Sequence, residues 1–155
     1  MKGNEQMLEK LNFLLADELT AISQYMVHSE MCADWGFERL HEAIEKRAID
    51  EMKHAEELIA RILFLEGRPI VSKLNPIQIG AEVEKQLNND WAAEDVAIKG
   101  YNEGIRLAME LGDNGTRRLL ETILKDEEVH IDWLETQLDQ IRLMSIKHYL
   151  NKQVG

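Results

Sequence analysis

Two glutamate–histidine pairs with the same spacing are the residues of this chain best suited to chemistry. They are Glu51 with His54 and, 76 residues further along, Glu127 with His130. Positions three apart lie on adjacent turns of one helical face, so the carboxylate and the imidazole of a pair can reach the same ion. The repeated spacing therefore indicates one metal-binding pair in each half of the chain.

Another glutamate precedes each pair by 33 residues, Glu18 in the first half and Glu94 in the second. All four glutamates lie seven residues, about two helical turns, from apolar residues on both sides, so their carboxylates point towards a predicted core. Four buried carboxylates repel one another and lose hydration, at several kcal/mol per ion in order of magnitude. Two divalent cations would balance four ionised glutamates, and we therefore predict a two-metal centre.

A purely structural role is the more common explanation for each residue alone, because a single glutamate or histidine on an apolar face is more often a flank residue or a hydrogen-bonded core residue. Six such residues in register favour metal. Oxygen-rich ligation with one imidazole per ion suits iron or manganese better than zinc, and it does not separate those two metals. Tyr25 and Tyr101 could hydrogen-bond the ligands, or simply pack as core aromatics.

Composition restricts the class of protein. The 155 residues are 45% hydrophobic, enough for one domain, residues 1–155, with a sizeable core. The formal net charge of −11 disfavours nucleic acid and anionic membrane partners. No apolar run is long enough to cross a membrane, and the first residues lack an apolar signal region. Because Cys32 is the only cysteine, no internal disulfide can form, and we expect a cytoplasmic protein.

Helical periodicity predicts four long helices and a short fifth. The first and third connections are short, whereas the middle one, about 67–80, contains both prolines and is long enough to run the length of a bundle. We expect an all-α four-helix bundle over about 5–144, with a long crossover between helices 2 and 3. The predicted helices cover about 5–34, 38–66, 81–111, 116–144 and 146–152.

An internal repeat supports this arrangement. The shift of 76 residues that relates the two Glu-x-x-His pairs also matches Ile22 with Ile98, and Tyr25 with Tyr101. Two similar hairpins packed about a pseudo-twofold axis would bring the matched residues together at the centre of the bundle.

At these residues the chain resembles the bacterioferritins, and the similarity extends over its whole length. The resemblance is carried by the second predicted helix, where residues 49–56 read IDEMKHAE and residues 61–67 read RILFLEG, and by Met1-Lys2-Gly3 and the Asp34-Trp35-Gly36 turn. It implies a ferritin-like bundle and iron storage. Ferrous iron is oxidised by dioxygen or peroxide, and ferric mineral collects in a hollow twenty-four-subunit shell built from dimers.

The resemblance also implies a role for each candidate ligand of two iron ions per subunit. Glu51 and Glu127 would bridge the two irons, and each iron would be completed by one further glutamate and one histidine. The two completing sets are Glu18 with His54, and Glu94 with His130. A ferredoxin-type reductant is the expected partner for iron release.

Met52 is the residue that the resemblance marks for a second cofactor. It directly follows Glu51, about 100° round the helix, so it faces away from the predicted metal centre. In bacterioferritins the methionine at this place binds the iron of haem b, with one such methionine from each of two subunits. Ordinary interface packing by a flexible side chain is the alternative.

Several positions depart from the family pattern. Some members carry a histidine and an aspartate on the cavity side of the second helix, where this chain has Lys46 and Asp50. A protonated lysine is a poor iron ligand, so the resemblance does not extend to an iron site there. Leu58 replaces a tyrosine found in some relatives, so no electron-relay role is implied there. The remaining histidines lack partners in sequence and are predicted to lie at the surface: His28, His41 and His148.

Two other classes of function remain open from the sequence. One is a small di-metal oxidoreductase without storage, such as a rubrerythrin-like peroxidase or a manganese catalase. The absence of a Cys-x-x-Cys rubredoxin module argues against the rubrerythrin-like peroxidase, and the short chain of 155 residues argues against the manganese catalase. The other is a structural or haem-carrying shell with a vestigial metal site, against which the presence of all six candidate ligands argues.

Overall fold

The computed structural model describes residues 1–155 and consists of helices and their connections, without strands. The predicted four-helix bundle with a short C-terminal helix is confirmed. The predicted bounds of the first helix are also confirmed, and the other helix ends agree with the prediction or differ from it by one or two residues. The five helices are α1 (Glu5–Asp34), α2 (Glu38–Phe64), α3 (Val83–Glu110), α4 (Asn114–Met144) and α5 (Ile146–Asn151).

Side-chain caps explain where two of these helices begin. The Asn4 side chain accepts hydrogen bonds from the backbone N–H groups of Gln6 and Met7 at the start of α1. Asp113 accepts one from the Thr116 N–H at the start of α4, and its carboxylate also pairs with Arg61 of α2 at 2.9 Å. Because the cap is Asp113, α4 begins two residues earlier than predicted.

The bundle consists of two antiparallel hairpins, α1 with α2 and α3 with α4. In the first hairpin the Gly3 N–H donates to the Leu65 carbonyl at one end. At the other end the Ser29 carbonyl accepts from His41 Nδ1. Gly36 and Gly112 adopt positive φ angles of 85° and 70° in the two hairpin turns, a conformation that glycine adopts without strain.

The crossover, residues 65–82, runs along α1 and is held there by polar side chains of that helix. Asn12 accepts from the Ile70 N–H near one end, Thr20 Oγ1 from the Asn75 N–H, and Gln24 Oε1 from the Gln78 N–H. These bonds satisfy backbone groups of a segment that has no regular structure of its own. The predicted crossover is therefore confirmed, and it returns the chain to the far end of α1, where α3 begins.

The apolar core has two parts, one towards each end of the bundle. One part includes Leu11, Leu58 and Leu120, and the other includes Leu40 and Leu87, with α5 closing the second part. On every long helix the boundary between the two parts falls at a predicted metal ligand. The fold thus places a polar layer midway along the bundle, between two apolar blocks.

His28 is a correction to the sequence analysis, which placed it at the surface. It is fully buried beneath the crossover, where its Nδ1 lies 2.9 Å from Asp90 Oδ1 and its Nε2 accepts from the Gly80 N–H at 3.0 Å. Helical periodicity could not reveal this, because the crossover covers the residue. The surface prediction is also wrong for His41, which is half-buried, whereas His148 is exposed as predicted.

None of the five helices combines the length and the apolarity that a bilayer span requires.

Candidate metal centre

The structure brings all six candidate ligands together in the polar layer. Each of the four long helices contributes one glutamate, and α2 and α4 each add one histidine one turn further on. All six are at most 3% exposed to solvent. They are Glu18 from α1, Glu51 and His54 from α2, Glu94 from α3, and Glu127 and His130 from α4.

The six residues form two overlapping groups. Ligand atoms of Glu18, Glu51, His54 and Glu127 all lie within 4.8 Å of one another, and the same holds when Glu94 and His130 replace Glu18 and His54. Glu51 and Glu127 belong to both groups. Two cations could therefore share these two carboxylates, with one glutamate and one imidazole completing each position.

Both imidazoles present their Nδ1 atoms to the carboxylates. His54 Nδ1 lies 2.9 Å from Glu127 Oε1, and His130 Nδ1 lies 2.9 Å from Glu51 Oε1. The geometry of these contacts is poor for hydrogen bonds, and both Nδ1 atoms are buried without a partner, as are both carboxylate oxygens of Glu127. Buried polar atoms are normally satisfied, so this concentration of orphaned donor atoms fits cation binding.

Burial controls the protonation of the layer. It raises the pKa of Glu51 and Glu127 well above the usual range, and the other carboxylates of the layer raise it further. Burial acts in the same sense on Glu94, but its close neighbours Glu127 and His130, together with the Tyr25 hydroxyl, outweigh burial and lower the pKa. Burial would lower the pKa of His130, yet Glu94 and Glu127 raise it above its ordinary value. Without metal, the layer therefore retains protons that a cation would displace.

Two tyrosines hold the outer glutamates, Glu18 and Glu94, which each belong to only one of the two groups. The hydroxyl of Tyr25 on α1 donates to Glu94 Oε1 on α3, and that of Tyr101 on α3 donates to Glu18 Oε1 on α1, both at 2.5 Å. Burial raises the pKa of both phenols well above 10, so they remain donors. The hydrogen-bonding interpretation of these tyrosines is confirmed, and the reciprocal pairing ties α1 to α3 across the centre.

Two aspartates that the sequence analysis did not connect with the centre contact the outer nitrogens of the imidazoles. His54 Nε2 lies 2.9 Å from Asp126 Oδ2, and His130 Nε2 lies 3.2 Å from Asp50 Oδ2. Asp50 and Asp126 are themselves 76 residues apart, and each directly precedes a candidate ligand glutamate. The internal repeat therefore contained the signal, and following it one residue further would have found this pair.

The other positions singled out from the sequence lie away from the centre. Met52 is 45% exposed on the outside of α2, with Ile49 exposed one turn before it. Leu58 is fully buried in the apolar core. Lys46 is exposed and makes no ion pair, whereas its predicted neighbour Asp50 faces His130.

Comparison with known proteins gives a consistent result. Residues 8–144 match the ferritin family, described as a ferritin-like domain. The bacterioferritin of Rhodobacter capsulatus is 44% identical over 138 residues, which cover 89% of this chain and 86% of that protein. Those of Brucella melitensis and Mycobacterium avium are each 40% identical over 149 residues, covering 96% of this chain and 92% and 94% of those proteins. The chain therefore belongs to the ferritin family and, within it, to the bacterioferritins.

Proposed function

We propose that the six-residue layer is the ferroxidase centre of this iron-storage protein. Membership of the bacterioferritins makes the oxidation of Fe(II) to Fe(III) and the storage of iron the function of the chain. The observation that carries the assignment of the centre is the overlap of two buried ligand groups through Glu51 and Glu127. The family match also favours storage over a rubrerythrin-like peroxidase or a manganese catalase.

The charges of the layer suit ferrous iron as the substrate. Two Fe(II) ions carry four positive charges, which balance four ionised glutamates once the protons held by the layer have left. Loss of one electron from each iron raises the positive charge opposite the fixed carboxylates. The carboxylates therefore stabilise the ferric product more than the ferrous substrate, which favours electron transfer to dioxygen or peroxide.

Each side chain around the centre has a distinct task in this proposal. Glu51 and Glu127, which belong to both ligand groups, would be shared by the two iron positions. Glu18 with His54 completes one position, and Glu94 with His130 completes the other. The tyrosine hydroxyls keep the outer glutamates aimed inwards, and the aspartates hold the imidazoles with Nδ1 directed at the metal. The residues that act on the ligands from outside are Tyr25, Tyr101, Asp50 and Asp126.

Anaerobic titration with Co(II), which is a spectroscopic substitute for Fe(II), tests the centre directly. The wild-type chain should bind two ions per chain, with absorption bands typical of mixed oxygen and nitrogen ligation. Glu94→Ala should remove or strongly weaken one of the two sites, because that position keeps only one ligand of its own. Glu57→Ala, an exposed glutamate of α2, is the matched control and should still bind two. Equal binding by wild type and Glu94→Ala would contradict the assignment.

The bacterioferritins form homo-oligomeric shells, and for this chain we propose the twenty-four-subunit form built from dimers. Its surface supports an assembled state, because exposed apolar residues recur on α1, on α2 and along the crossover, among them Met26, Ile49, Val71 and Leu74. Light scattering coupled to size-exclusion chromatography would distinguish a shell from an isolated dimer.

We further propose that Met52 binds haem b between two subunits. The thioether is exposed and uncommitted, and Ile49 and Met26 provide exposed apolar surface on the two helices of the same hairpin. Such a neutral sulfur ligand in an apolar setting suits a haem, whose chemistry when bound would be one-electron transfer.

The cellular setting that we propose is the cytoplasm, where a ferredoxin-type reductant would supply electrons for iron release. The only cysteine of the chain, Cys32, is buried and unpaired, as expected in a reducing compartment. Burial raises the pKa of its thiol to about 12, which keeps it unreactive.

A further inference from the structure

A small cavity lies beside the metal layer, and most of the residues that line it belong to α1 and α3. It has room for about one water-sized sphere, and three alanines line its wall. All four ligand glutamates contribute to its inner part, and one further carboxylate, Asp17, also lines it. The alanines are Ala21, Ala93 and Ala97.

The carboxylate of Asp17 is held by only one of its two oxygens. Oδ1 accepts a hydrogen bond from the Asn75 side chain of the crossover at 2.7 Å. Oδ2 is shielded from solvent and has no hydrogen-bond partner. The facing residue on α3 is Gly100, whose missing Cβ would lie 3.8 Å from Oδ2, so no side chain at that position covers the oxygen. A buried anionic oxygen without a donor or a cation is costly, and Oδ2 is therefore open to a ligand.

The same cavity contains a second orphaned oxygen deeper in the bundle. Glu18 is 1% exposed, and its Oε2 also lacks a hydrogen-bond partner. The nearby basic side chain, Lys10, is paired with Glu103 at 2.8 Å. The two acidic neighbours thus present oxygens without a hydrogen-bond donor to the same cavity, and the nearest basic group to Glu18 Oε2 is the His54 imidazole at 3.7 Å.

This feature exists in only one half of the pseudo-symmetric bundle. The 76-residue shift that relates the halves matches Ala21 with Ala97, but it matches Asp17 with Ala93. The carboxylate at the outer part of the cavity is therefore next to Glu18 and has no equivalent next to Glu94. A cation held there would lie beside the position that Glu18 and His54 would complete.

We propose that Asp17 is an entry ligand for divalent iron, which it holds at the outer part of this cavity and transfers to Glu18. The inference rests on the proposed ferroxidase centre and adds the route and the order in which its two positions fill. The ligand class is a hard divalent cation, since the cavity offers carboxylate oxygens and one tyrosine hydroxyl, Tyr25, which already donates to Glu94. An entry ligand should change the rate of binding and leave the number of ions bound at equilibrium unchanged.

Asp17→Asn tests the proposal, because the amide keeps the size of the side chain and an acceptor for Asn75 while removing the charge. Stopped-flow absorbance of anaerobic Co(II) binding should show an on-rate about tenfold lower, the lower end of the effect of electrostatic focusing. Equilibrium titration should still give two ions per chain with little change in affinity. Asp34→Asn, the same change at the exposed end of α1, is the matched control and should bind at the wild-type rate.

The outcomes separate this inference from the proposed centre. If wild type binds two Co(II) and Asp17→Asn binds them equally fast, Asp17 is not an entry ligand, although the centre stands. If Asp17→Asn loses one ion at equilibrium, it is a permanent ligand and the inference is also overturned. If the wild type itself does not bind two Co(II) ions, the proposed ferroxidase centre is wrong, and the inference that rests on it is overturned with it.

A second variant tests the route without altering a charge. Ala93→Leu places a bulky side chain on the α3 wall of the cavity, opposite Asp17 in the repeat. Co(II) binding should slow as in Asp17→Asn, while a thermal melt confirms that the variant is folded. Entry at the wild-type rate in folded Ala93→Leu would overturn the route.

Discussion

His54 Nε2 lies 2.9 Å from Asp126 Oδ2, on the side of the imidazole that faces away from the metal layer. The equivalent contact in the internal repeat joins His130 Nε2 to Asp50 Oδ2 at 3.2 Å. In each pair the carboxylate favours the tautomer that carries its proton on Nε2, which leaves the Nδ1 lone pair directed at the proposed metal position. The pseudo-symmetry of the chain thus extends beyond the proposed ligands to the carboxylates that contact their imidazoles.

Removal of one such carboxylate should weaken one metal position. We expect Asp126→Ala to reduce Co(II) affinity at the position completed by His54 by about 10- to 100-fold, the usual effect of losing a partner of a ligand histidine. Isothermal titration calorimetry under anaerobic conditions measures the two sites. Glu128→Gln, an exposed neighbour on α4, is the control for the loss of charge. Unchanged affinity in Asp126→Ala would show that the contact does not orient His54.

The protonation of the layer predicts how stability varies with pH. The pKa values of Glu51 and Glu127 are raised in the folded chain, and so is that of His130. The metal-free folded chain therefore binds more protons than the unfolded chain, and its free energy of unfolding falls as pH rises above the ordinary glutamate pKa of about 4.5. Bound metal displaces these protons, so metal affinity rises over the same interval.

Thermal melts at about pH 6 and about pH 8, with and without Co(II), measure both effects. The metal-free chain should melt at a lower temperature at the higher pH, and the gain from saturating metal should be larger there. A Glu51→Gln, Glu127→Gln double variant should flatten the dependence of the metal-free chain on pH. A metal-free melting temperature that rises between these two conditions would be inconsistent with protons retained in the layer.

The buried contact between His28 and Asp90 should contribute strongly to stability. His28→Ala leaves the Asp90 carboxylate buried with only the Gln24 side chain as a donor, and it removes the acceptor of the Gly80 N–H. Loss of one partner of a buried pair typically costs about 3 kcal/mol or more in the free energy of unfolding. Chemical denaturation measures this cost, and His148→Ala on the exposed surface is the control. Equal stabilities of the two variants would show that the contact is unimportant.

Met52→Leu keeps the shape and apolarity of the α2 surface and removes the sulfur. We expect the variant to assemble and to oxidise ferrous iron normally, but to lose the visible absorption bands of haem. Met109→Leu, at an exposed methionine of α3, should retain them. A full haem complement with an unchanged spectrum in Met52→Leu would refute the assignment.

The sequence was sufficient to predict the bundle and the six residues of the layer, for a physical reason. A glutamate at a core position conflicts with its apolar neighbours, and the conflict repeats at a fixed spacing in both halves, so helical periodicity alone reveals it. The helix ends were less certain, because a cap such as Asp113 depends on tertiary partners, here Arg61, as well as on local sequence.

The residues that sequence reasoning missed depend on how the helices and the crossover pack. His28 resembles a surface histidine until the crossover covers it, and Asp17 gains significance only where Asn75 and Gly100 meet it. Such contacts join positions more than 50 residues apart, and those of Asn75 and Gly80 lie in a segment without periodicity. Asp126 was different, since the internal repeat already contained its pairing with Asp50.

Rapid ferrous oxidation at the six-residue layer is the central claim, and stopped-flow absorbance at the onset of ferric formation tests it most directly. Aerobic addition of two Fe(II) per chain should give a fast phase in the wild type and in His148→Ala, which alters only an exposed histidine. His130→Ala and Glu18→Ala should each lose that phase, because each removes a ligand from one of the two positions. Oxidation at the wild-type rate in both variants would contradict the account.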